Sequence, residues 1–127
     1  MEQILYVVIP CYNEEEVLEE TTRQLTEKMQ AMMESGRISK DSRILYVNDG
    51  SKDQTWNIIT EQFTNNPFVT GISLSRNRGH QNALLAGLLY AKDKADVTIS
   101  MDADLQDDIS IMEQFLDEYE KGNEIVY

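Results

Sequence analysis

Asp96-Val97-Thr98-Ile99-Ser100-Met101-Asp102-Ala103-Asp104-Leu105-Gln106-Asp107-Asp108 is the stretch whose reading decides the fold of this 127-residue chain. The β-branched apolar run at its start reads as a buried strand of a parallel sheet. Side chains alternate with period two along a strand, so Asp102 and Asp104 at its carboxyl end project to the same side. Two carboxylates so placed repel one another unless a cation sits between them, and oxygen ligands suit a hard ion, Mg²⁺ or Mn²⁺. An ion held by few protein oxygens completes its shell with water and substrate phosphates. An isolated Asp-x-Asp is more often a solvated acidic turn ahead of a helix. This one has company.

Working outward, strands and helices alternate. Ile4-Leu5-Tyr6-Val7-Val8-Ile9 is an apolar strand stopped by Pro10. Asn13 and Glu16 have the spacing of a helix cap, and the helix after them carries Leu18, Leu25, Met29 and Met32 on one stripe, ending near Ser35-Gly36. Arg43 to Val47 is the second strand. Ser51 and Gln54 form a capping box for a helix with Trp56, Ile59 and Phe63 on its inner face, closed by Asn65-Asn66-Pro67. Val69 to Leu74 is the third strand. Gly79 opens a helix whose small residues Ala83, Ala86 and Gly87 allow close approach to a sheet. After the Asp-rich run, Ser110 and Glu113 cap a helix bearing Met112, Phe115, Leu116 and Tyr119, and Glu124 to Tyr127 begins a fifth strand. Alternation of this kind predicts a single α/β domain over 1–127 with a parallel sheet and right-handed crossovers.

Composition narrows the chemistry. With 23 acidic and 11 basic residues the net charge is −12, the wrong sign for a nucleic-acid surface. Much of that charge reads as solvated helix face. Cys11 is the single cysteine, which excludes an internal disulfide and fits a reducing compartment. The run from Ile4 to Ile9 is too short for a signal peptide and lacks a basic leader. No stretch is long enough to cross a bilayer.

Open parallel sheets bind ligands at the carboxyl ends of their strands. Four polar clusters fall there: Pro10-Cys11-Tyr12-Asn13-Glu14, Asn48 to Asp53, Ser75 to His80, and Asp102 to Asp107. Asn48-Asp49-Gly50 alone is ordinary turn chemistry, and Asn13 and Ser51 alone are helix caps. Together they describe one rim with carboxylates, two arginines, an aromatic ring and free helix N-termini. That set suits a metal-bound diphosphate attached to a hydrogen-bonding base or sugar.

The ordered segments VIPCYNEE, VNDGSKDQT, LSRNRGHQNALLAGL and DADLQD resemble glycosyltransferase family 2, which has the A-type glycosyltransferase fold. The third and fourth look most like the branch that moves a hexose from a nucleotide sugar to a polyprenyl phosphate, such as dolichyl-phosphate mannose synthases and bactoprenol glucosyltransferases. The resemblance implies an open, mostly parallel sheet with helices on both faces, the Rossmann-like nucleotide-binding half of that fold. It implies an inverting, metal-dependent hexosyltransferase of cell envelope biosynthesis that uses Mg²⁺ or Mn²⁺ and a UDP- or GDP-hexose. Position by position, Pro10, Tyr12 and Glu14 match residues around the nucleoside. Asp49 matches the acidic residue that recognises base or ribose, and Arg76 a nucleotide contact. Asp102, Asp104 and Gln106 match the metal and diphosphate positions, Asp102 also facing the nucleotide. Asp108-Ile109 stands where the branch usually has two prolines. His80 and Arg78 stand where relatives often carry lysine and an aromatic residue; His80 reads either as a phosphate contact or as a capping or exposed histidine, and is not counted in the site.

The family's catalytic base and acceptor-binding elements follow its fifth strand. The chain is therefore expected to be the donor-binding part of a longer enzyme, inactive in transfer by itself and with its base downstream of residue 127. The resemblance further implies a cytoplasmic domain of a protein held at the cytoplasmic face of a membrane, where the lipid phosphate lies. The acceptor could instead be a growing polysaccharide. An Asp-dependent phosphohydrolase needs its nucleophilic Asp directly after the first strand, where this chain has Pro10-Cys11-Tyr12. A sugar nucleotidyltransferase needs a Gly-rich loop with a basic residue there. A non-enzymatic α/β domain with an acidic Mg²⁺ pocket would bind metal without nucleotide.

Overall fold

The structure, a computed structural model, describes residues 3–104 and 111–120. Four strands, β1 (Leu5–Cys11), β2 (Arg43–Asn48), β3 (Val69–Ser73) and β4 (Val97–Ser100), alternate with the helices α1 (Leu18–Glu34), α2 (Thr55–Asn65), α3 (His80–Ala91) and α4 (Ile111–Glu120). The sheet order is β3-β2-β1-β4, and every pairing is parallel. The chain steps outward from β1 to β3, then returns across β1 to lay down β4 on the other side. That reversal is the switch point at which open α/β sheets form a crevice.

β1 is central, and all seven of its residues are buried. Leu5, Val7, Ile9 and Cys11 join a core with Leu18, Leu25, Met29 and Met32 of α1, Ile59 of α2, and Met112 and Leu116 of α4. Tyr6 and Val8 join a second core with Leu45, Val47, and Ala83 and Ala91 of α3. Helices thus cover both faces. α3 sits opposite α1 and α2 because its crossover runs in the reverse direction along the sheet, and a constant hand of crossover then requires the opposite face. Gly87 lets α3 in: a Cβ there would lie 2.5 Å from Val8 Cγ1 and 2.8 Å from Val47 Cγ2. α1 closes on Gly36, whose φ is 79°, with Gly36 N–H donating to Met33 and Arg37 N–H to Met32. This is the left-handed helix stop expected at Ser35-Gly36.

Four expectations are corrected. Pro10 does not stop β1 but lies inside it, opposite Val47. Alternate residues of β1 face alternate neighbours: Cys11 C=O accepts from Asp49 on the β2 side and Val8 C=O from Met101 on the β4 side. Pro10 therefore presents its missing N–H toward β4, whose pairing ends at Val8 with Ser100, so no ladder bond is lost. Asn13 is not the cap of α1, which begins after Val17 with no side-chain cap. Ser51 and Gln54 do not form a capping box, and Gln54, the N-cap of α2, makes no side-chain capping bond. Phe63 is 59% exposed: it lines an open recess over the edge strand β3 with Trp56, Ile59 and Gly71. Gln106, the cap at Ser110, the side chains of Phe115 and Tyr119, and the strand from Glu124 lie outside the described residues.

Candidate functional site

The loops after β1 and β2 are laced together by the residues expected to cap helices. Asn13 adopts φ 54°; its N–H donates to Ser51 Oγ (3.0 Å), and its Oδ1 accepts from Lys52 N–H (2.8 Å). Asn tolerates this left-handed conformation better than most residues. Glu14 N–H donates to Thr55 Oγ1 (2.8 Å). Asp53 Oδ1 accepts from the N–H and the hydroxyl of Thr55, and Asp53 Oδ2 from Glu15 N–H. Burial pushes the Asp53 carboxyl up, but these bonds outweigh it and hold the group below the usual carboxylate range.

A third loop, between β3 and α3, is drawn in by Asp49. Its carboxylate is 3% exposed; Oδ1 accepts from Arg78 N–H (2.7 Å), and Oδ2 from Gly79 N–H (3.1 Å) and Asn77 Nδ2 (3.3 Å). Gly50 makes room, since a Cβ on it would collide with the backbone of Arg76 and Asn77. The fourth segment follows β4. Met101 and Ala103 are buried while Asp102 and Asp104 are exposed, so the period-two alternation continues past the strand and sets both carboxylates on the open side.

These segments surround a cleft of about 330 Å³ lined by Pro10, Tyr12, Glu14, Asp49, Asp102 and Asp104. Six of the expected site residues thus meet at one place, at the switch point. Arg76 does not line the cleft; it is exposed on the neighbouring loop. Asn77, Gly79 and His80 do line it; sequence reasoning put them in the cluster from Ser75 to His80 but counted none of them among the site residues. The available signal was their position: they follow the strand that crosses over, so α3 must begin beside β1.

The cleft is negatively charged. Glu14 has its carboxyl pushed up by burial first, then by the charges of Asp104, Asp53 and Asp102. Glu14 therefore feels three neighbouring carboxylates, a cost that a divalent cation would relieve. Among the described residues no three His, Cys, Asp or Glu side chains form a closed cage. Two aspartates on an open rim fit instead an ion whose remaining ligands are water and phosphate. Cys11, also at the cleft, is 1% exposed and its thiol is pushed far up, mainly by burial, so it is inert packing.

An open parallel sheet with an acidic cleft at its switch point defines a doubly wound α/β domain of the Rossmann-like kind. This chain belongs to glycosyl transferase family 2, whose model matches residues 6–127. It is 53% identical over 124 residues to the uncharacterized glycosyltransferase YkoT of Bacillus subtilis, an alignment covering 98% of this chain and 37% of that protein. It is 34% identical over 123 residues to a prophage bactoprenol glucosyl transferase homolog of Escherichia coli, covering 94% and 37%. Among solved structures, a mannosyltransferase from Pyrobaculum calidifontis in complex with GDP-Man and Mn²⁺ superposes with a TM-score of 0.61 at 23% identity, over 82% of this chain and 28% of that one. Staphylococcus aureus TarS 1-349 with UDP gives 0.60 at 21%, over 92% and 33%. These structures bear on the fold, which is that of A-type glycosyltransferases. The chain spans about a third of the length of the curated relatives it matches. No helix among the described residues is long and apolar enough to cross a membrane.

Proposed function

We propose that this chain forms the donor site of an inverting, metal-dependent hexosyltransferase, holding a UDP- or GDP-hexose whose sugar passes to a polyprenyl phosphate. The observation that carries the reading is the meeting of Asp102 and Asp104 with Tyr12, Glu14 and Asp49 around one cleft at the switch point. Asp102 and Asp104, with Gln106, would hold Mg²⁺ or Mn²⁺, which when bound supplies charge stabilisation for the departing nucleoside diphosphate. Tyr12, 40% exposed at the rim, offers a ring face to a nucleoside, beside Pro10 and Glu14. The carboxylate of Asp49 offers remaining lone pairs to a base or ribose, and Arg76 stands on the adjoining loop for a phosphate. Inversion needs the attacking oxygen opposite the departing diphosphate, and a lipid phosphate arrives already ionised.

Support for the donor comes from the ligands named with the structural neighbours, GDP-Man with Mn²⁺ in one and UDP or UDP-GlcNAc in another. Support for the acceptor comes from relatives named as bactoprenol glucosyl transferases, in Escherichia coli and in Shigella phages. Calorimetric titration of the chain with UDP and GDP, with and without Mn²⁺, tests the reading. The parent should bind one nucleotide far more tightly with metal, and Asp104→Asn should lose that increment while keeping its melting temperature. Metal binding with no nucleotide affinity would instead identify a non-enzymatic acidic pocket.

A further inference from the structure

Thr21 lies in the first turns of α1, in sequence 82 positions from the residue it touches. Its side-chain hydroxyl donates to the Ala103 carbonyl at 2.5 Å. Thr21 is 2% exposed and Ala103 is 4% exposed, so water is excluded from the pair and neither group has an easy substitute partner. Ala103 is the residue between Asp102 and Asp104. Beyond β4 the pairing with β1 has ended, apart from the Met101 N–H donating to Val8 C=O at 3.1 Å. The peptide plane that joins Ala103 to Asp104 is therefore steered by a side chain from α1.

We propose that Thr21 is a positioning residue for the acidic pair: its buried hydroxyl fixes the carbonyl between Asp102 and Asp104 and thereby the spacing at which the two carboxylates share one divalent cation. The inference rests on the reading of those aspartates as cation ligands. Groups that orient ligands from behind commonly matter to metal affinity nearly as much as the ligands. Thr21→Val keeps the shape and removes only the donor. It also leaves the buried Ala103 carbonyl unpaired, which by itself destabilises the fold. The test must therefore separate stability from cation binding.

Mn²⁺ binding to the chain is read from the electron paramagnetic resonance signal of the free ion, alone and with UDP or GDP present, alongside thermal melts. Thr21→Val should weaken Mn²⁺ binding by about 10-fold or more, as outer partners of metal ligands do, and lower the melting temperature. Thr21→Ser, which keeps the hydroxyl and loses the methyl packing, should restore Mn²⁺ binding to the parent's level even where its melting temperature stays low. If Thr21→Val does not fold, Thr21→Ala carries the same comparison with Thr21→Ser. Mn²⁺ affinity unchanged in the valine or alanine variant, with only the melting temperature lowered, would overturn the proposal and leave Thr21 as helix-to-loop packing. Failure of the parent itself to bind Mn²⁺, matched by an Asp104→Asn variant indistinguishable from it, would overturn the cation reading and this inference with it.

Discussion

Both oxygens of the buried Asp49 carboxylate accept from backbone N–H groups of the loop ahead of α3, so this residue shapes the rim before any ligand arrives. Losing it strands two donors, each at a cost of about 1–3 kcal/mol. Asp49→Ala should therefore speed hydrogen exchange at the Arg78 and Gly79 amides by on the order of tenfold or more, and weaken nucleotide binding. Unchanged exchange at those two amides would show that the loop holds itself. Glu14 makes a prediction of opposite sign. Its carboxyl is raised by burial and then by Asp104, Asp53 and Asp102, so the folded state holds the proton more tightly than the unfolded chain does. Ionised Glu14 costs stability at every pH above its folded value, and the cost vanishes below the ordinary carboxylate value. Glu14→Gln should raise the melting temperature at about pH 7 without divalent cation, and the gain should disappear by about pH 4. A gain that persists at the acid end would assign it to packing rather than charge.

At the scale of the element, α3 shows how a single small residue sets a layer spacing. A Cβ at Gly87 meets Val8 and Val47, both fully or almost fully buried and both β-branched, with little rotamer freedom to yield. Alanine normally gains about 0.5–1 kcal/mol over glycine inside a helix, but overpacking of a tight core costs about 1–3 kcal/mol. Gly87→Ala should come out destabilised, seen as a lower urea midpoint with unchanged slope; a raised midpoint would mean the helix can lift off the sheet freely. The strands were legible because Leu5 to Ile9 and Arg43 to Val47 are apolar runs with no helical period, and the helices because Leu18, Leu25, Met29 and Met32 keep one. The ends of the elements were not. Asn13 and Ser51 have the composition of caps, yet bond to each other's loops across 38 positions, and no local spacing reveals that choice. Phe63 fits the inner stripe of α2, and only the strand order shows that β3 lies at the edge, where the recess that Phe63 lines stays open. That Asp102 and Asp104 share the open side of the chain was legible from alternation. His80 was not, since its place at the cleft depends on Asp49 drawing its loop inward.

At the scale of the whole molecule, the proposed donor rim draws on all four strand ends, and the chain covers 37% of the relative YkoT. Binding a nucleoside diphosphate requires the rim. Transfer requires in addition an acceptor held in line with the anomeric carbon, and that orientation supplies about 7–11 kcal/mol of a barrier. Where a general base is needed, it contributes a further ~10²–10⁴-fold. The chain should therefore bind UDP or GDP with Mn²⁺ and yet turn over no lipid: incubated with a radiolabelled nucleotide hexose, polyprenyl phosphate and Mn²⁺, it should give slow hydrolysis at most. A polypeptide of the full length of its relatives, assayed in the same way, should glycosylate the lipid, with Asp104→Asn abolishing that activity. Multiple-turnover lipid glycosylation by these 127 residues would sink the division of labour, because the acceptor would then have to sit within the cleft formed by Tyr12, Glu14 and Asp104. Tight metal-dependent nucleotide binding without transfer would uphold it.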